Sequence, residues 1–328
     1  MKIAIIGTGV YSTALTYHLQ KMKDNDIYLW TEKKELANQF KKQRKFEMLS
    51  KNIKFDSNIF VTDDFETTLK DASAIFILVG SKYFLNTLEE IKPHYKKNTP
   101  IFVGTKGMDL ENQKFYSDIT RKYLKCNSYA FFAGPTFAKD LIQDYPFALT
   151  FACSNSISYK KLERILPEYV DTECTYDLYG LEIMAVLKNI YAIGGGILNG
   201  LKVTDSVKYI YLTKVLKECQ KILKKCHGNN ETIISYGGIG DFFMTTNSKT
   251  SRNFTLGKLI GSKSKKSEIE EFEKKNTIEG LESLKQSQEL IKKWRLQNTI
   301  LNELYEIIIN KRDPKELAPK IKEKSETF

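Results

Sequence analysis

The chain has 328 residues, 41% hydrophobic and 28% charged, with 51 Lys and Arg against 40 Asp and Glu for a net charge of +11. That length admits two domains with real cores, and no Pro/Gly/Ser-rich tract marks it as disordered or low-complexity. The positive charge is spread along the sequence without a recognition-helix or zinc-finger pattern. It therefore reads as a lysine-rich surface, part of it able to attract anionic phosphates, and not as a nucleic-acid footprint.

The first apolar run, Ile3 to Ile6, follows Lys2 and ends in a Gly-Thr-Gly turn, too soon for the apolar region of a signal peptide. KIAIIG, TG and VYSTA read as strand, tight turn and helix start. Gly7 can adopt backbone angles closed to other residues. Gly9 lacks a side chain, so a pyrophosphate can approach the backbone at a helix N-terminus that offers free N–H groups and a partial positive charge. Ser12 stands where a third glycine is usual and is small enough to take its place.

The second run, DIYLW, ends at Thr31 and Glu32. A carboxylate there suits a ribose 2′-hydroxyl and repels a 2′-phosphate, so Glu32 favours NAD(H). Lys33 and Lys34 follow and can neutralise that repulsion, which keeps NADP(H) open.

Further apolar runs follow: NIFVT, AIFILVG, PIFVG, YAFFAG and FALTFAC. Helical segments are predicted at 11–21, 33–43, 81–91 and 154–166, a polar loop at 46–59, and a last strand at 171–176. Strands alternating with helices predict an α/β, Rossmann-like, mostly parallel sheet covered on both faces.

From Leu178 onward strand-like runs vanish, and apolar residues recur at three- and four-residue spacing. The division falls into a dinucleotide-binding domain at 1–177 and an all-helical substrate and catalytic domain at 178–328. The segment 261–275 reads as an exposed connection or polar helix. No stretch approaches the ~20 apolar residues of a membrane span. The five cysteines form no CxxC pair, which suits reduced thiols in a cytoplasmic protein and no metal site.

Four stretches combine glycines with unusual polar residues. VGTKGMDL puts Lys106 at the carboxyl end of a strand, and FAGPTFAKDL does the same for Gly134, Thr136 and Ala138. AVLKNIYAIGGG sets Lys188 and Asn189 inside an apolar helix. Charging a buried lysine is costly, so it takes a partner or gives up its proton, and either suits acid–base work. GGIGDFFMTTNSKTSRNFTLG gathers Asp241, Thr245, Ser251, Arg252 and Asn253. Arg252 can donate two hydrogen bonds to a phosphate, although the same residues can simply cap a helix.

Taken in order, IGTGVYSTAL, ILVGS, GTKGMDL, AGPTFAKDL, LKNIYAIGGGILNGL, GIGDFFMTT, SRNFTLG, IEGLES and NKRDPKEL run along essentially the whole chain. In this series the chain resembles the bacterial cytosolic NAD(P)-dependent glycerol-3-phosphate dehydrogenases. The resemblance implies interconversion of sn-glycerol 3-phosphate and dihydroxyacetone phosphate, supplying glycerol 3-phosphate for phospholipid synthesis.

It implies that Lys188 is the catalytic lysine, with Asp241 and Lys106 beside it in the chemistry. It further implies that Lys106, Gly134, Thr136, Asn189, Asp241, Thr245, Ser251, Arg252 and Asn253 line the substrate site. Gly7, Gly9, Val10, Tyr11, Glu32, Lys106, Ala138, Arg252 and Glu279 would hold the cofactor. Departures from the family pattern are Ser12, Gly80, Thr246, Thr277 and Glu32. The implied partners are a small phosphorylated substrate and no nucleic acid, without membrane insertion, and a homodimer is left open. The alternatives are a non-catalytic NAD(H)-sensing module and a related hydroxyacid or ketopantoate-type dehydrogenase, neither of which needs both the Ser-Arg-Asn cluster and the two lysines.

Overall fold

The computed structural model describes residues 1–49, 53–106, 108–109, 112–143 and 145–318. Its strands are β1 (Lys2–Ile6), β2 (Asp26–Trp30), β3 (Ile59–Thr62), β4 (Ala74–Ile77), β5 (Ile101–Val103), β6 (Tyr129–Ala133), β7 (Phe147–Cys153) and β8 (Val170–Thr175). They form one sheet in the order β3-β2-β1-β4-β5-β6-β7-β8. Pairing is parallel from β3 across to β6. Strand β7 then runs antiparallel to β6, and β8 lies parallel to β7.

Strands β4, β5 and β6 bury every residue, and β1 all but Lys2. Such unbroken apolar runs belong to parallel strands covered on both faces. The chain moves outward from β1 to β2 and β3, then returns to place β4 on the other side of β1. The carboxyl ends of β1 and β4 therefore flank the point where strand order reverses, the usual ligand crevice of an open α/β sheet.

The connecting helices are α1 (Val10–Leu19), α2 (Lys34–Gln43), α3 (Phe65–Leu69), α4 (Phe84–Ile91), α5 (Tyr116–Leu124), α6 (Ala138–Leu141) and α7 (Ser156–Glu163). The helix expected over 81–91 starts with a 3₁₀ turn at Ser81–Tyr83 and becomes α-helical only at Phe84. The helix expected from 154 begins at Ser156, because the Asn155 side chain accepts from the Ser158 N–H and caps it.

The segment 46–59 has no regular element before β3 among its described residues, but it is less polar in effect than its composition suggests. Phe46, Ile53 and Phe55 are buried, and Phe40, Phe46 and Phe55 meet with ring centroids 4.7–5.7 Å apart.

The chain divides into two compact units, Met1–Lys106 with Tyr116–Leu178, and Gly107–Phe115 with Tyr179–Phe328. The expected division at 177/178 thus needs one correction: the 107–115 stretch groups with the second unit. Met108 and Phe115 bury their side chains in the helical core, and Phe115 stacks on Tyr179 at 4.5 Å.

The second unit contains α8 (Leu178–Gly200), α9 (Asp205–Lys225), α10 (Asp241–Asn247), α11 (Arg252–Gly261), α12 (Lys266–Lys275), α13 (Glu279–Gln286), α14 (Gln288–Lys293) and α15 (Ile300–Ile308). The polar segment after 261 is largely α12, which buries none of its residues. Helix α8 is long and apolar enough to cross a membrane, contrary to the sequence expectation that no segment is, yet 94% of its apolar window is buried inside the protein. It is a core helix.

Two devices lock α8 in place. Helix α11 crosses it backbone to backbone: a Cβ added at Gly257 would lie 1.9 Å from the Ile193 carbonyl oxygen, and one at Gly196 2.1 Å from that of Phe254. On another side, the buried Glu218 of α9 accepts from the Tyr191 hydroxyl (2.7 Å) and from the backbone N–H groups of Ile300 (2.7 Å) and Leu301 (2.9 Å). It thereby satisfies the first donors of α15 and ties that helix to α8.

Candidate active site

In the first unit the glycine-rich turn has the form a dinucleotide needs. Gly7 sits at φ +109°, and a Cβ there would come within 2.9 Å of the Leu78 carbonyl oxygen, so only glycine fits. Gly9 is the N-cap of α1, and no side chain caps it. A Cβ at Gly9 would meet nothing nearer than the Ser12 Oγ at 3.9 Å, which leaves the approach open. Ser12 is buried and donates to the Gly9 carbonyl at 2.9 Å, a local tie that lets serine replace the third glycine. This turn fits a pyrophosphate group.

Val10 is exposed at the start of α1, and the Tyr11 hydroxyl lies 3.2 Å from the Thr136 Oγ1. Glu32 is exposed just beyond β2. Its predecessor Thr31 is buried and accepts from the Thr8 hydroxyl at 2.9 Å and the Lys33 N–H at 3.2 Å, fixing the start of the turn that carries Glu32.

Lys106 follows β5 and is half-buried. The buried Thr105 before it donates to the carbonyl of Val79 at 2.9 Å, pinning the β5 end to the loop after β4. Beyond β6, the Thr136 N–H returns to the Gly134 carbonyl at 2.8 Å, and Ala138 opens α6. Gly134 is buried against Ala148 of β7.

In the second unit, Lys188 of α8 and Asp241 at the start of α10 form an ion pair with 1% and 0% of their side chains exposed. Thr245 donates to the Asp241 carbonyl at 2.7 Å one helical turn on. The segment leading into Asp241, Tyr236–Gly240, is a wide helical turn whose backbone breaks at Gly238 (φ −84°, ψ −106°). The Ser235 hydroxyl accepts from the Gly238 N–H at 2.8 Å and donates to the Thr232 carbonyl at 2.7 Å. Wide turns of this kind gather at functional sites, where they re-aim a side chain. The sequence reading passed over Ser235; the Ser-Tyr-Gly-Gly-Ile-Gly run, dense in glycine directly before a buried carboxylate, was the available signal.

Next to Lys188, Asn189 donates to Glu279 at 3.1 Å, and Asn253 donates to the Asn189 side-chain oxygen at 3.0 Å. The Asn253 oxygen in turn accepts from the Gly280 N–H at 2.9 Å. The chain of amides thus links α8, α11 and α13. Ser251 is the N-cap of α11, accepting from the Phe254 N–H at 3.3 Å. Between them, Arg252 is exposed in the first turn of α11 and makes no ion pair among the described residues. Of the Ser-Arg-Asn cluster, then, Ser251 caps α11, Asn253 ties it to α8 and α13, and Arg252 stands exposed between them.

The expected residues fall into two groups. Gly7, Gly9, Val10, Tyr11, Glu32, Lys106, Gly134, Thr136 and Ala138 belong to the first unit, where Tyr11 and Thr136 touch. Lys188, Asn189, Asp241, Thr245, Ser251, Arg252, Asn253 and Glu279 belong to the second, joined through the ion pair and the amide chain. Lys188 was legible as a buried lysine with Asp241 expected beside it to hold its ammonium, and the two do form an ion pair.

Comparison with known proteins agrees along the whole chain. Residues 2–158 match the family profile described as the NAD-dependent glycerol-3-phosphate dehydrogenase N-terminus, and residues 177–319 match its C-terminus counterpart. A glycerol-3-phosphate dehydrogenase [NAD(P)+] of Carboxydothermus hydrogenoformans is 27% identical over 96% of this chain and 94% of its own length. One from Mesoplasma florum is 29% identical over 95% of this chain and 94% of its own. The crystal structure of glycerol-3-phosphate dehydrogenase from Coxiella burnetii superposes with a TM-score of 0.88 at 26% identity, covering 98% of this chain and 99% of that one. The chain belongs to the NAD-dependent glycerol-3-phosphate dehydrogenase family.

Proposed function

We propose that this enzyme interconverts sn-glycerol 3-phosphate and dihydroxyacetone phosphate, with Lys188 handling the proton at the C2 oxygen. The observation that carries the assignment is the buried Lys188–Asp241 ion pair in a helix that otherwise exposes nothing. When bound, the nicotinamide cofactor supplies or takes the hydride at C2. In the reducing direction the Lys188 ammonium donates its proton to the forming alkoxide. In the oxidising direction the neutral amine takes the proton of the C2 hydroxyl.

An ammonium aimed at that oxygen stabilises the developing negative charge in a dry site, an effect worth roughly 3–4 kcal/mol for one aligned donor. Asp241 orients Lys188 and balances its charge, and Thr245 with the Ser235–Gly238 turn orients Asp241. Arg252 binds the substrate phosphate at the N-terminus of α11. Asn189 and Asn253, held through Glu279 and Gly280, set the position of the substrate relative to Lys188. Gly7, Gly9, Val10 and Tyr11 receive the cofactor pyrophosphate, Glu32 the ribose, and Lys106, Gly134, Thr136 and Ala138 complete the two ligand sites.

Supply of glycerol 3-phosphate to phospholipid synthesis is part of the same reading, as is a cytoplasmic setting, which suits five scattered cysteines without a CxxC pair. The test is direct: oxidation of NADH and of NADPH, followed by the absorbance of the reduced nicotinamide, with dihydroxyacetone phosphate as substrate. Turnover with dihydroxyacetone phosphate and none with unphosphorylated keto acids supports the assignment, and the opposite preference overturns it.

A further inference from the structure

We propose that the first unit carries a peripheral docking surface for anionic phospholipid bilayers, built on α7 and the loops at the amino ends of β5 and β6. Helix α7 buries Ser158 and Leu162. The opposite face, at spacings of three, four and seven residues, presents Ile157, Lys160, Lys161 and Arg164 to solvent. Ile157 is 62% exposed, a large aliphatic side chain standing among three cations.

That face lines a broad groove of about 920 Å³ whose other wall includes Lys96 and Lys97. Lys97 also lines an adjoining depression with Arg121, Lys122 and Lys125. Eight cations thus face three carboxylates, Asp71, Glu163 and Asp118, and Asp71 is already shared with Lys96 at 3.4 Å.

Three features select a bilayer over other polyanions. A contiguous set of lysines and arginines is drawn to the negative potential of an anionic leaflet, and the exposed isoleucine can enter the headgroup boundary, where a nucleic acid would give it nothing. No aromatic ring is among the described lining residues, so unstacked bases find no platform. The surface also lies at the strand ends opposite those that carry Gly7, Lys106 and Thr136, so docking leaves the proposed nucleotide turn uncovered.

The full-length protein is to be co-sedimented with vesicles of phosphatidylglycerol and phosphatidylcholine in equal parts, and of phosphatidylcholine alone, at about 50 mM and about 500 mM salt. Sedimentation with the anionic vesicles at low salt only is expected. The triple variant Lys160→Glu, Lys161→Glu, Arg164→Glu should lower the bound fraction at least roughly tenfold. A control carrying the same charge change on α12 (Lys266→Glu, Lys274→Glu, Lys275→Glu) should bind like the parent.

Ile157→Ser should weaken vesicle binding but leave heparin binding unchanged. All these residues lie outside the proposed active site, so NADH turnover reports correct folding of each variant. Absence of binding to anionic vesicles overturns the proposal. So do equal losses in the two triple variants, tighter binding to duplex RNA than to vesicles, or an Ile157→Ser variant that binds vesicles like the parent.

Discussion

The ammonium of Lys188 and the carboxylate of Asp241 meet inside the second unit with 1% and 0% of their side chains exposed. Removing both charges from water costs several kcal/mol per ion, so the pair is a poor investment in stability alone. Its presence in a largely apolar helix is what directs attention to chemistry.

Replacing Lys188 with alanine should lower kcat by at least about a hundredfold, the scale of losing one aligned donor to a developing oxyanion. NADH affinity, measured by fluorescence quenching, should stay within about threefold of the parent, since the residues assigned to the nucleotide are elsewhere. Near-normal turnover in this variant would remove Lys188 from the mechanism.

Asp241→Leu should destabilise the fold by about 3–5 kcal/mol, because it strands a buried ammonium. Adding Lys188→Met to it should restore much of that stability while leaving the enzyme inactive. Thermal unfolding of the two variants decides the matter; a double variant less stable than Asp241→Leu would show that the pair stabilises through packing.

NADH should show a higher kcat/KM than NADPH, and Glu32→Ser should narrow the ratio by roughly fivefold or more by removing a charge that repels the 2′-phosphate. Lys33 and Lys34 act against Glu32, so a parent enzyme that prefers NADPH would mean that they win.

Burial raises the Glu218 carboxyl above its ordinary value of 4.5, with Tyr191 and the N–H groups of Leu301 and Ile300 opposing the rise. The folded state therefore holds this proton more tightly than the unfolded chain does. The stabilisation that follows is fully present below about pH 4.5 and is lost as pH rises through the folded value. Relative to a Glu218→Gln variant, the parent should lose stability as pH rises above about 4.5. Chemical denaturation of both proteins across that range gives the sign, and a parent that gains on the variant contradicts it.

Gly257→Ala should lower the thermal midpoint by several degrees, as overpacking costs about 1–3 kcal/mol or more where backbone cannot retreat. Its Cβ would fall 1.9 Å from the Ile193 carbonyl oxygen. An unchanged midpoint would show that α8 and α11 can part freely.

Much of the first unit was legible because its signals are local. Seven of the strands are short apolar runs with a glycine or polar turn beside them, and all seven runs became strands of the one sheet, joined at its edge by the more polar β8. What stayed hidden depends on partners distant in sequence. The reversal of β7 follows from how the chain re-enters the sheet, and no residue in FALTFAC announces it. Met108 and Phe115 join the helical core although they lie between two strands of the sheet. At the candidate site, residue types that carry an unusual cost, such as Lys188 in an apolar run, stood out. Ser235 and Glu218 did not, since a hydroxyl or carboxylate in a mixed segment looks like surface until its partners are known.

Helix α8 has a consequence for how the protein is made. Emerging from the ribosome before α9, α11 and α15 exist to cover it, a 23-residue apolar segment resembles the substrate of the membrane-insertion machinery. Lys188 lies near its middle and Glu182 a turn and a half earlier, and a single charge at mid-bilayer costs about 2.5–3.5 kcal/mol on insertion scales. A charge in that position opposes transfer of α8 into lipid, so the residue proposed to handle the substrate proton also sets this core helix apart from a true membrane span.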